Sequence, residues 1–157
     1  MTLAGLEDET LRVRRRDAPP TMHSALRDWA QRTPLAPAIA APGRAPLCYA
    51  ALLEAIEQAA RALKAFGVAR EDRVAVVLPQ GPEAAVATLA VSDVAIAAPL
   101  NPALSDDDLV NAFEVLAPAA LVVPAGSAGR AEAVARDRGV RIIELVVRPD
   151  APAGSFE

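Results

Sequence analysis

The sequence is poor in the residue types that most often carry chemistry. Its 157 residues include one cysteine, Cys48, and one histidine, His23. A lone cysteine cannot form an internal disulfide, which fits a reducing compartment. With so few His and Cys ligands, no zinc-type metal site can be assembled. A nucleophile with a base partner is equally illegible. Cys48 falls in an expected strand beside Tyr49 and reads as a small buried hydrophobe. His23 lies in the first turn of an expected helix with no evident partner and reads as a surface histidine. Aromatics make up only 3% of the chain, so Ala, Val, Leu and Ile must fill its core. Basic excess is missing too. The net charge of −4 argues against nucleic acid as the main partner, because there is no surplus of cations to release counterions from phosphates. No stretch is long and apolar enough to span a bilayer, so no membrane partner is expected. The opening MTLAGLEDETLRVRRRDAPP lacks the apolar run of a secretory signal, which makes the cytoplasm the expected location.

What is present is apolar residue in quantity, 53% of the chain, which is ample for one folded core. Residues 1–20 place Glu7, Asp8 and Glu9 ahead of Arg12, Arg14, Arg15 and Arg16, and read as a flexible, solvated leader. Thr21 is placed to cap a helix over MHSALRDWAQRT, with Met22, Leu26, Trp29 and Ala30 on one face. Pro34 ends it. Residues 37–41 and 47–49 flank a Pro/Gly loop and predict a β-hairpin. A long amphipathic helix follows from about Ala50 to Phe66, and Gly67 is placed to end it.

The period then changes. Arg73–Leu78 is a continuous apolar run, typical of a parallel strand covered on both faces. Glu83 to about Ile96 predicts an Ala-rich helix, and Ala97–Leu100 a short strand running into the interior, with Pro99 hinting at its edge or end. Ser105 is a strong N-cap for Asp106–Leu116. Asp106, Asp107 and Asp108 could ligate a hard cation, but helix capping and the helix dipole account for all three. Ala119–Val123, Ala128–Arg138 and Val140–Val147 supply a further strand, helix and strand, and residues 149–157 read as a linker or tail. The alternation predicts an α/β fold: three layers with a mostly parallel β-sheet flanked by helices, preceded by an N-terminal helix and β-hairpin.

The loops hold no recognisable phosphate cradle. The turn PQGPEA has one glycine and no G-x-G-x-x-G pattern. The turn PAGSAG, with Gly126, Ser127 and Gly129, lacks the lysine of a P-loop. Asp93 interrupts an otherwise apolar helix stretch, and a buried aspartate there would need a partner. No catalytic, cofactor-binding or metal-binding residue is assigned.

In order and spacing, three pieces of the chain resemble the adenylate-forming acyl-CoA synthetases and ligases (the AMP-dependent synthetase and ligase family). They are LCYAALLEAIEQAARALKAFGV, AREDRVAVVLPQGPEAAVATLA and AIAAPLNPALSDDDLVNAFEVLAPAALVV. The stretch Ala95–Pro102 is the strongest marker, and residues 21–148 would form an N-terminal α/β subdomain. The tail VRIIELVVRPDAPAGSFE resembles the oxalate–CoA ligase-like branch. Departures are Cys48 where the family has Thr, and Ser92-Asp93-Val94 where it has a small Ala/Gly-rich turn. The resemblance implies a full-length enzyme that uses ATP, Mg²⁺ and CoA to turn a carboxylate into an acyl-adenylate and then a thioester. It also implies that the family's phosphate loop, adenine motif, ribose-binding Asp and catalytic Lys have no counterparts here. Lys64, the only lysine, lies in a helix without that context. The expectation is an N-terminal ligase fragment, inactive alone, whose apolar face meets the remainder of the ligase or drives self-association. The alternative is a stand-alone, non-catalytic interaction or regulatory module built on the same fold.

Overall fold

A computed structural model describes residues 21–127 and 129–157, so the leader expected over residues 1–20 lies outside the described residues. Helix α1 spans Met22–Arg32, and its Thr21 cap works as the sequence indicates, with Oγ1 accepting from the Ser24 amide at 3.1 Å. Strands β1 (Pro37–Ile39) and β2 (Leu47–Cys48) pair antiparallel as the expected hairpin. Helix α2, Tyr49–Ala65, ends where Gly67 turns to φ +80°. That left-handed conformation suits glycine, which has no Cβ to clash.

From there the chain alternates: β3 (Arg73–Val76), α3 (Pro82–Val94), β4 (Ile96–Pro99), α4 (Asp106–Leu116), β5 (Ala120–Pro124), α5 (Arg130–Asp137), β6 (Arg141–Leu145). The four strands β3–β6 make one parallel sheet in the order β4-β3-β5-β6. Alternate residues of each strand serve opposite faces. Val74, Val76, Ala120 and Val122 pack with Ala60 and Leu63 of α2 and Ala87 and Val91 of α3. Ala75, Leu121 and Val123 pack with Leu109 and Phe113 of α4 and Ala131 and Ala135 of α5. The result is the three-layer α/β arrangement that the periodicity implies. A third apolar cluster joins Leu47, Leu52, Ile56, Val86 and Ala90, fastening the hairpin to the α2–α3 pair.

Two features depart from the sequence reading. The strand around Ala97 does not run into the interior: β4 is an edge strand, Ile96 is 47% exposed, and Pro99 closes the pairing. Its residues are small and apolar on both sides, so their pattern does not separate an edge from a centre. The segment read as a linker over residues 149–157 folds back. Val147 and Phe156 form an antiparallel bridge, and Ala153 is fully buried.

Candidate functional site

In an open parallel sheet, ligands bind beyond the carboxyl ends of the strands, where the strand order reverses. Here that point lies between β3 and β5, with the N-termini of α3, α4 and α5 following the three adjoining strands. Free N-terminal amides and the helix dipole would attract an anion. In this chain each N-terminus already holds its own carboxylate. At α5, Glu132 is buried at 2% exposure; it accepts from the Gly129 amide and, at 2.7 Å, from the Ser127 hydroxyl. The neighbouring Gly126 amide donates to Glu144 at 3.3 Å. At α4, the Ser105 hydroxyl accepts from the Asp108 amide at 3.2 Å and donates to the Asp108 carboxylate at 2.6 Å. Asp106 and Asp107 are exposed in the same turn, and Asp106 pairs with Arg130 at 3.3 Å.

At α3 the carboxylate is Glu83. It is only 15% exposed and forms an ion pair with Arg44 from the β1–β2 loop. Burial pushes the Glu83 carboxyl up. Hydrogen bonds from Arg44, its own backbone amide and the Gly154 amide, with the Arg44 charge, more than offset that and hold it below the ordinary value of 4.5. Neither Arg44 nor Glu83 stands out in the sequence, because the pair joins a turn residue to a helix cap far away in the chain. Part of the crevice's donor set is thus taken, by the partners of the Asp108 and Gly129 amides, and Asp106 is engaged by Arg130. Among the described residues no group of three His, Cys, Asp or Glu side chains is placed to hold a metal ion.

Two residues picked out by the sequence do meet. His23 Nδ1 lies 2.7 Å from Asp93 Oδ1, beside a cavity of about 380 Å³ at the start of α1 and the end of α3. His23 is therefore not a lone surface histidine. Arg27 approaches Nε2 at 2.7 Å, and Glu57 lies 3.9 Å away. The Asp93 carboxylate sits off the direction of a hydrogen bond, which leaves Nδ1 buried without a directed partner. The Ser92 hydroxyl, beside Asp93, is turned back to the Thr88 carbonyl at 2.8 Å, and the Ser24 hydroxyl, beside His23, donates to the Thr21 carbonyl at 2.8 Å. The pair is a contact between α1 and α3.

Cys48 is half-buried at the N-cap of α2, and Lys64 is exposed in the last turn of that helix. A second concavity is an apolar groove of about 480 Å³ between α2, β6 and the folded-back tail, lined by Ala59, Val91 and Val122. Exposed Glu54, Glu144 and Glu157 are its acidic lining. No helix among the described residues is long and apolar enough to cross a membrane.

A family model described as AMP-binding enzyme matches residues 26–155. No curated protein sequence matches the chain. Among solved structures, a long-chain-fatty-acid CoA ligase (so named) from Rhodopseudomonas palustris is 26% identical with a TM-score of 0.71; the match covers 84% of this chain and 35% of that one. Apo MatB from the same organism is 25% identical with a TM-score of 0.65, over 78% of this chain and 24% of its own. O-succinylbenzoate coenzyme A synthetase from Bacillus subtilis, solved with AMP, shares the fold at 24% identity and a TM-score of 0.65, over 76% and 30%. The chain thus spans between about a quarter and a third of the length of these structures.

Proposed function

This chain belongs to the AMP-binding enzyme family, and from that membership we propose that it is the N-terminal α/β region of an adenylate-forming acyl-CoA ligase, a supporting layer that carries none of the catalytic residues. One observation carries the second half of this reading. Each helix N-terminus at the strand-reversal point carries a carboxylate of its own, Glu83, Asp108 or Glu132, which disfavours a further anion there. A triphosphate would have to approach that negative charge. In the whole enzyme, a carboxylate and ATP would give an acyl-adenylate and pyrophosphate, and CoA would then take the acyl group as a thioester. The residues described here hold no part of that sequence. Their role is to present a packed three-layer body whose apolar groove is covered by the remainder of the ligase or by a second copy. The likeness of the tail to the oxalate–CoA ligase-like branch rests on sequence alone, and a cytoplasmic setting is part of the proposal, consistent with a single cysteine.

The test is direct. The 157-residue chain is mixed with ATP, Mg²⁺, CoA and a panel of carboxylic acids, and pyrophosphate release is followed alongside calorimetric titration with ATP. We expect release at background and no binding heat. Release well above background with any acid would overturn the proposal.

A further inference from the structure

We propose that residues 146–157 form a latched strap. The Arg44 guanidinium holds them against the N-terminus of α3, and unlatching lets the strap lift away from the groove while the parallel sheet stays folded. The strap is not a strand of that sheet. Its own pairing is internal: the Val146 and Glu157 amides bond each other's carbonyls at 2.8 and 2.9 Å, and the Arg148 amide bonds the Ser155 carbonyl at 3.2 Å. Among the described residues, a single backbone bond ties it to the body outside β6, from the Ala153 amide to the Ala45 carbonyl at 2.8 Å. Ala153 is buried and Phe156 packs against the core, and Arg44, next to Ala45, supplies the remaining polar ties. One guanidinium donates to the carbonyls of Arg148 at 2.9 Å, Ala151 at 3.1 Å and Pro152 at 3.0 Å, and also to Glu83. Glu83 in turn accepts from the Gly154 amide at 3.2 Å. A planar fork with five donors can serve four acceptors at once, which a lysine cannot. Of the three strap carbonyls only that of Ala151 lacks a backbone partner; those of Arg148 and Pro152 also accept from the Ala151 and Ser155 amides at 3.1 Å, so the strap is bonded within itself and the fork is what fastens it to the β1–β2 loop. Gly154, Ser155, Phe156 and Glu157 line the groove, so the strap's position sets its width.

The experiment is amide hydrogen exchange, read by NMR, on the full 157-residue chain and two variants, Arg44→Ala and Glu83→Gln, with an apolar fluorescent dye as a second readout. In both variants we expect the Val146, Ala153, Gly154 and Glu157 amides to lose protection at least tenfold. The Val77, Leu100 and Ala119 amides of the sheet should keep theirs, and dye fluorescence should rise severalfold. A third variant, Arg44→Lys, should fall between wild type and Arg44→Ala. Unchanged strap protection in Arg44→Ala would overturn the proposal. So would loss of strap and sheet protection together, or failure of both variants to fold, since each would make the strap part of the core.

Discussion

His23 Nδ1 and Asp93 Oδ1 stand 2.7 Å apart, tying the first turn of α1 to the last turn of α3. Both side chains keep about a fifth to a quarter of their surface in water, at 24% and 21% exposure. A pair of that exposure is worth little: a double-mutant cycle on His23→Ala and Asp93→Ala should give a coupling of about 0.5 kcal/mol. A coupling near zero, measured by denaturant unfolding, would mean that the contact is incidental.

Glu83 behaves differently because its carboxyl is held below its ordinary value of 4.5. A carboxyl depressed in the folded state contributes stability that is present above its unfolded value and lost as pH falls through the folded one. Wild-type stability should therefore decline as pH drops from about 5 toward the folded value. Glu83→Gln, which removes the titration, should show a shallower acid decline. Parallel unfolding midpoints for the two proteins from pH 6 downward would contradict the assignment.

Gly154 has φ +88°, and a Cβ placed there would meet Val86 Cγ2 at 2.7 Å. Strained backbone and a clash with a buried side chain act in the same direction. Gly154→Ala should lower stability by about 2 kcal/mol, while Gly43→Ala, with an open site at φ +73°, should lose only the backbone part, about 1 kcal/mol. Equal losses in chemical denaturation would remove the steric argument.

Phe113 is 1% exposed under the sheet, whereas Val115, two residues along the same helix, is 84% exposed. Phe113→Ala should cost about 3–5 kcal/mol, a large share of the stability of a domain of this size. Val115→Ser should stay within about 0.5 kcal/mol of wild type. The denaturant midpoints of the two variants check both values.

Much of this fold could be read from the sequence because its signals are local. Thr21 and Ser105 cap the helices they precede, Gly67 ends α2, and alternating strand and helix periods give the parallel sheet. What was hidden depends on residues far apart in the chain. Pro149, Pro152 and Gly154 interrupt every period, so the tail looks like a linker; the residue that orders it, Arg44, lies in a turn over a hundred positions earlier. His23 and Asp93 are each unremarkable in their own helices, and only the packing of α1 beside α3 brings them together. The carboxylates of the crevice were half visible. The Ser105–Asp108 cap is a local pattern, but Glu132 meets its partners only because the β5–α5 loop folds onto it.

The strand order β4-β3-β5-β6 has a consequence for how the chain is born. On a ribosome, β3 emerges with α3 and β4 close behind and can pair on one side at once. Its other side waits for β5, since Val74 pairs with Ala120. At about 5–20 residues per second that wait is roughly two to nine seconds. During it, a Val-rich strand has one unpaired edge, the kind of surface on which nascent chains join each other. Helix α4 is made in that interval, with Asp106, Asp107 and Asp108 at its start. Their charge repels a neighbouring copy until β5 arrives to close the sheet.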